Sequence, residues 1–163
     1  MSDTYARTAT IDQIKSTVGT EIGVSRWFAM PQERISTFAD CTEDWYYIHT
    51  NPEKAAATTP WGGTIAHGFL TMSLLSAMAY DCLPGTEGAV RGVNYGFDKL
   101  RFVSPVPAGA NVRARFQLLD ADTEKDGEIT LRYGVIVEIE GQEVSGGSRP
   151  AVAAEWLCRE FFH

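Results

Sequence analysis

Asp44, His49 and the pair His67-Gly68 are of the residue types used for proton transfer, and they stand just ahead of a long apolar stretch. Asp44 and His49 are five residues apart. Across a non-helical stretch, that spacing lets both side chains turn into one pocket and share a water. A carboxylate and an imidazole placed so can take a proton from water and return one to carbon near neutral pH. The same pattern arises if Asp44 caps a turn and His49 is a hydrogen-bonded histidine of the core. Gly68 begins the apolar stretch, so its N–H is expected at the positive end of a helix dipole, where negative charge growing on a carbonyl oxygen is stabilised. A glycine kept small for close packing leaves the same trace.

Other chemistries fit less well. His67 with His49 and Asp44 could ligate a metal, but neither HxxxH nor HxH spacing is present, and no metal is expected. Ser73 and Ser76 fall inside the apolar stretch, and no GxSxG elbow exists to build a serine hydrolase. Either serine could donate a hydrogen bond to the site, or bond to its own i−4 carbonyl. Arg91, Lys99 and Arg101 cluster around Asn94-Tyr95-Gly96-Phe97, with Arg149 beyond. They are candidates for the phosphates of an anionic, cofactor-like substrate, although bases at alternating strand positions more often form a solvated face.

The elements that must position these groups can be read from periodicity. Ile11, Ile14 and Val18 follow Thr10 at helical spacing, and Thr10 can cap. A strand is expected from Val24 to Met30, stopped by Pro31, then a helix carrying Ile35, Phe38 and Ala39 on one face. Asn51-Pro52 predicts a short helix with a cap and a proline at its first position. Between them, Asp40 to Thr50 reads as non-helical. From Gly68 to Leu83 one long helix is expected, apolar nearly all round and so enclosed on most sides, ended by Pro84-Gly85. Strand patterns follow at Ala89 to Phe102, Asn111 to Asp122, Glu128 to Glu140 and Gln142 to Arg159. Turn signals at Asp126-Gly127 and Glu140-Gly141 predict antiparallel neighbours. The fold class is therefore α+β, a curved antiparallel sheet of four or five strands in a meander wrapped around one long central helix, the outline of a hot-dog fold.

Composition sets the bounds. The chain has 163 residues, 44% apolar and 21% charged, with no repeat, linker or low-complexity run, which predicts a single domain over residues 1–163. A chain of this length buries about 70% of its unfolded surface and needs no disulfide or metal staple. The three cysteines, Cys41, Cys82 and Cys158, are scattered and odd in number, so reduced thiols in a cytoplasmic protein are expected. No signal peptide is visible at Met1-Ser2-Asp3-Thr4. The apolar run from Ile65 to Tyr80 is shorter than the roughly 20 residues a membrane span requires. With 21 acids against 14 bases the net charge is −7, which argues against nucleic acid or anionic lipid as partner.

Taken together, Phe38 through His49, Asn51-Pro52-Glu53-Lys54-Ala55 and Ile65-Ala66-His67-Gly68-Phe69-Leu70 resemble the MaoC-like hydratases, the (R)-specific enoyl-CoA hydratases also called hydratase 2. The likeness is greatest to the branch that includes the nodulation protein NodN. That branch has a segment like Val93-Asn94-Tyr95-Gly96 through Lys99-Leu100-Arg101-Phe102, followed by Pro105-Val106-Pro107. The resemblance covers about Ile11 to Glu155. It implies a hot-dog homodimer or higher homo-oligomer with sheets joined edge to edge and sites near the subunit interface. It also implies that Asp44 and His49 hold the catalytic water, that the Gly68 N–H polarises a thioester carbonyl, and that Ser76 supports the site, with His67 and Asn94 beside it. The substrate implied is a trans-2-enoyl thioester of CoA or of acyl carrier protein, with no further cofactor. The commonest family pattern has Asn-Pro where this chain has Tyr46-Tyr47, so the turn presenting His49 must be built differently.

Two other functions compete with the hydratase. A hot-dog thioesterase would hydrolyse the acyl-CoA, but it more often places a carboxylate on or beside the central helix, and no acid stands between Gly68 and Tyr80. A non-catalytic binder of acyl thioesters keeps the pocket but has no need of Asp44 and His49 together.

Overall fold

A computed structural model describes residues 5–123, 125–144 and 147–163. In chain order the elements are β1 (Thr8–Ala9), α1 (Ile11–Lys15), β2 (Glu21–Val24), β3 (Phe28–Ala29), α2 (Gln32–Thr42), α3 (Tyr47–Thr50) and α4 (Pro52–Thr58). There follow α5 (Gly68–Ser73), α6 (Leu75–Cys82), β4 (Gly85–Thr86), β5 (Arg91–Phe102), β6 (Asn111–Asp122), β7 (Glu128–Ile139) and β8 (Val152–Phe161).

Local chemistry explains the early helices. Thr10 accepts from the Gln13 N–H while the Gln13 side chain accepts from the Thr10 N–H, a reciprocal cap that starts α1. Asn51 accepts from the Lys54 N–H and Pro52 opens α4, as the Asn-Pro pair predicts. In α2, Ile35 and Ala39 are buried. The expected strand from Val24 to Met30 is instead two, because Ser25 leaves the ladder. Its N–H still donates to the Ala114 carbonyl, but the Ala114 N–H donates to the Ser25 hydroxyl rather than to main chain. Both strands lie on β6.

The main sheet runs β2-β6-β7-β8-β5, with β3 also on β6, and every pairing in it is antiparallel. Only β6, β7 and β8 form the expected meander. β5 crosses to the far edge and pairs with β8, not with its neighbour in sequence, β6. β8 begins at Val152, ten residues later than the pattern from Gln142 suggested, because Gln142 only closes a turn onto Ile139.

The sheet packs against α5 and α6, which together occupy the place of the central helix. Phe116, Leu118, Val135 and Trp156 from the strands meet Leu70, Leu75 and Met78 in one core. Two features of the expected helix are corrected. It is divided at Leu74, where hydroxyls compete for carbonyls in the preceding turn: Thr71 Oγ1 donates to the His67 carbonyl and Ser73 Oγ to that of Phe69. Nor is it enclosed on most sides, since Phe69, Ser73, Ala77 and Tyr80 form an exposed stripe, with Phe69 60% exposed. Edge strand β5 continues this uncovered surface through Val93, Tyr95 and Phe102, all exposed. Among the described residues, no helix is long and apolar enough to cross a membrane.

Candidate active site

His49 sits on α3, one turn long, where a non-helical stretch was expected. The turn exists because Glu43 ends α2 in the left-handed conformation (φ 60°) and Asp44 accepts from the Tyr46 N–H at 3.4 Å. So Asp44 does cap a turn, and that turn delivers His49 inward. Tyr46 and Tyr47 pack edge to face (4.9 Å), and Lys54 lies over the Tyr47 ring, which is how this chain builds the segment without Asn-Pro.

The tautomer of His49 follows from its partner. Nδ1 lies 2.7 Å from the Ile65 carbonyl, which can only accept, so Nδ1 carries the hydrogen and Nε2 presents a lone pair. Gln32 braces this arrangement: its Nε2 donates to the His49 carbonyl at 2.8 Å and its Oε1 accepts from Thr64 at 2.5 Å. Ile65 in turn donates its N–H to the Ile48 carbonyl. Gln32 and the Ile65 carbonyl were missed by sequence reasoning. For Gln32 the only trace was its place at the first turn after Pro31.

His67 is 2% exposed and stacks on His49, ring centroids 3.8 Å apart. Its Nε2 donates to the Asp44 main-chain carbonyl at 2.9 Å and lies 3.9 Å from Asp44 Oδ2, while Nδ1 is buried without a partner among the described residues. Asp44 itself is half exposed. One ligand-type atom from each of Asp44, His49 and His67 falls within 4.8 Å of the others. The residue types suit a metal, yet ligands of a tetrahedral zinc lie ~3.3 Å apart, so the three would have to close in.

A cavity of about 250 Å³ is lined by His49, Gly68, Thr71, Phe102, Ser104 and Val152. His49 and Gly68 therefore share a space, as the resemblance implied, whereas Asp44, expected to turn into one pocket with His49, stands within 4.8 Å of it but does not line this cavity. Gly68 is the first residue of α5, which no side chain caps, so its N–H has no partner within the helix. The packing role is also real: a Cβ there would come within 2.7 Å of the Phe102 ring. The remaining candidates lie elsewhere. Asn94 donates to Ser76 at 3.2 Å, and the two line a separate cavity farther along the helix. Lys99 pairs with Glu155 at 2.5 Å and, with Arg101, lines a groove on the face of the sheet turned away from the helices. Arg91 lies over the Phe161 ring and Arg149 is exposed. Within one chain, none of these four bases lines the His49 cavity, because Lys99 and Arg101 alternate with Phe102, which does.

Burial holds the His49 pKa below its ordinary 6.5, reinforced by His67 and opposed by the Ile65 carbonyl and Asp44. The neutral, basic form thus prevails at pH 7. A rate that needs this base should be flat at pH 7 and fall only as acidity passes the lowered value, below 6.5. An acid limb above 6.5 in a pH profile of kcat/KM would contradict this assignment.

Comparison with known proteins finds similar chains over most of this one's length. The model of the MaoC like domain matches residues 13–139. Nodulation protein N of Rhizobium meliloti is 42% identical over 148 residues, covering 91% of this chain and 89% of that protein. 3-Hydroxyacyl-thioester dehydratase Z of Mycobacterium tuberculosis (strain H37Rv) is 36% identical, with 91% and 94% covered. Among solved structures, the (R)-hydratase from A. caviae superposes with a TM-score of 0.62 at 26% identity, covering 86% of this chain and 96% of its own.

Proposed function

We propose that this chain, which belongs to the MaoC-like domain family and is similar to a 3-hydroxyacyl-thioester dehydratase and an (R)-hydratase, hydrates a trans-2-enoyl thioester to the (R)-3-hydroxyacyl thioester, reversibly. One observation carries this: His49, its Nδ1 bonded to the Ile65 carbonyl, and Gly68, the first residue of α5, line the same cavity. Water held between His49 and Asp44 attacks C3. His49 Nε2 takes the water proton while the C2–C3 π electrons move toward the carbonyl, and the resulting enolate oxygen is received by the Gly68 N–H. The imidazolium then returns its proton to C2, so one water is added and nothing else is consumed.

The reaction as written needs no metal or cofactor, and treatment with a strong chelator followed by buffer exchange should leave the rate unchanged. A loss of rate restored by one divalent ion would instead assign Asp44, His49 and His67 as its ligands. The carrier is CoA or acyl carrier protein. The first assay is the disappearance of the conjugated enoyl-thioester absorbance with crotonyl-CoA. Hydration at a saturable rate supports the proposal, and no change with short or longer enoyl-CoA refutes it.

The exposed stripe of α5 and α6 beside edge strand β5 supports assembly as a homodimer through this face. Ala77 lies in the middle of the stripe and is exposed. Ala77→Glu should convert a dimer to a folded monomer by sedimentation velocity. A monomeric parent, or a variant that remains dimeric, would remove this face from the assembly.

A further inference from the structure

The His49 cavity holds a polar side chain that the reaction as written does not use. Thr71 lines it one turn beyond Gly68 and is 1% exposed, among the buried Ala66, Val106 and Val152. Its hydroxyl is poorly engaged. Oγ1 lies 3.4 Å from the His67 carbonyl oxygen, beyond the range of about 2.5–3.0 Å for an ordinary O–H···O bond. Thr37, Thr42, Thr58, Thr59 and Ser73 make the same bond, to the carbonyl four residues back, at 2.7–2.8 Å. The His67 carbonyl, moreover, already receives the Thr71 N–H at 3.2 Å. A buried hydroxyl held at such a distance is unfavourable unless something in the cavity bonds to it. Ser104, the other hydroxyl lining this space, is only partly buried and can meet water.

Position identifies the atom this hydroxyl meets. A helical side chain leans toward the turn before it, which carries Thr71 Oγ1 back toward Gly68. The Gly68 nitrogen and the His67 carbonyl oxygen belong to one peptide unit and are about 2.3 Å apart. With 3.4 Å from that oxygen to Thr71 Oγ1, the two donors stand at most about 5.7 Å apart. One oxygen at about 2.9 Å from each can span that separation. Resting on the hydratase proposal, we infer that Thr71 is a second donor to the thioester oxygen, its hydroxyl turning from the His67 carbonyl to the enolate beside the Gly68 N–H. No covalent bond at Thr71 forms or breaks and its proton stays on Oγ1. What it adds is one hydrogen bond where the negative charge collects.

The test compares Thr71→Val, which keeps the branched shape and loses the hydroxyl, with Thr71→Ser, which keeps the hydroxyl. Thr71→Val should lower kcat for crotonyl-CoA hydration by about 10²–10³-fold, the range for removing one oxyanion donor, with KM little changed. Thr71→Ser should stay within a few-fold of the native protein. A hydroxyl does not titrate near neutral pH, so the acid limb should be the same in all three. A spectroscopic reading accompanies the rates. Butyryl-CoA labelled with carbon-13 at its carbonyl has no double bond to hydrate, and a hydrogen bond to its oxygen lowers the carbonyl stretch in the infrared. The band of the bound thioester should therefore lie lower in the native protein and Thr71→Ser than in Thr71→Val. Melting temperatures establish that both variants are folded. A kcat for Thr71→Val within a few-fold of native, or a band at one frequency in native and Thr71→Val, would overturn the inference. If the native protein turns over no enoyl-CoA, the hydratase proposal itself has failed, and the band alone decides whether Thr71 bonds a thioester oxygen.

Discussion

His49→Ala should lower kcat for crotonyl-CoA hydration by about 10³-fold, within the 10²–10⁴ typical of a positioned general base. The variant should remain folded, because His49 is only half-buried and its ring makes one main-chain hydrogen bond, to the Ile65 carbonyl. KM should change little, since Nε2 acts on water rather than on the acyl chain. Asp44→Asn should cost less than His49→Ala, because the amide keeps the bond that caps the turn while losing the charge beside the water. His67→Ala is different in kind. It removes the ring stacked on His49 and the donor holding the Asp44 carbonyl, so its effect should include an acid limb moved toward higher pH, as the influence that helps to lower the His49 pKa is gone. Near-native kcat in His49→Ala would remove His49 from the chemistry.

The Gly68 N–H can be isolated by comparing two substitutions at that position. Proline at the first position of a helix is tolerated, and His67 already has φ −59° and ψ 136°, the extended conformation that a following proline requires. Alanine and proline both place a Cβ where the Phe102 ring now lies, but only proline lacks the N–H. Phe102 is 45% exposed, so its ring can yield in either case. The alanine variant therefore measures the packing cost, and the proline variant measures that cost plus loss of the donor. Gly68→Pro should have kcat about 10²–10³-fold below Gly68→Ala, the range for removing one oxyanion donor. Equal rates for the two would mean that Gly68 only leaves space for Phe102.

Much of this was legible in the sequence where a short-range rule governs. The caps at Thr10 and Asn51 and the strands from Asn111 and Glu128 follow from local pattern, whereas the meeting of His49 with Gly68 in one cavity was implied only by the family resemblance. What was not legible depended on distant partners. β5 pairs with β8 across about sixty residues, a choice that periodicity does not record. The uncovered stripe on α5 and α6 hid in an all-apolar pattern, because residues awaiting a partner chain and residues of the core have the same composition. Arg91, Lys99 and Arg101 looked like one cluster by spacing, yet Lys99 finds Glu155 and Arg91 finds Phe161, partners from another strand. Gln32 was invisible because both of its bonds at the site reach Thr64 and the His49 main chain, far along the chain.

Hydration and thioester hydrolysis both consume water, and they differ in where its oxygen goes. The most direct test is to incubate the protein with crotonyl-CoA in water labelled with heavy oxygen and follow the products by mass spectrometry. Hydration at the His49 cavity predicts one heavy oxygen at C3 of an intact 3-hydroxybutyryl-CoA, with the (R) configuration and no free thiol. Heavy oxygen in a released carboxylate, accompanied by free CoA, would contradict it and assign the His49 cavity to hydrolysis.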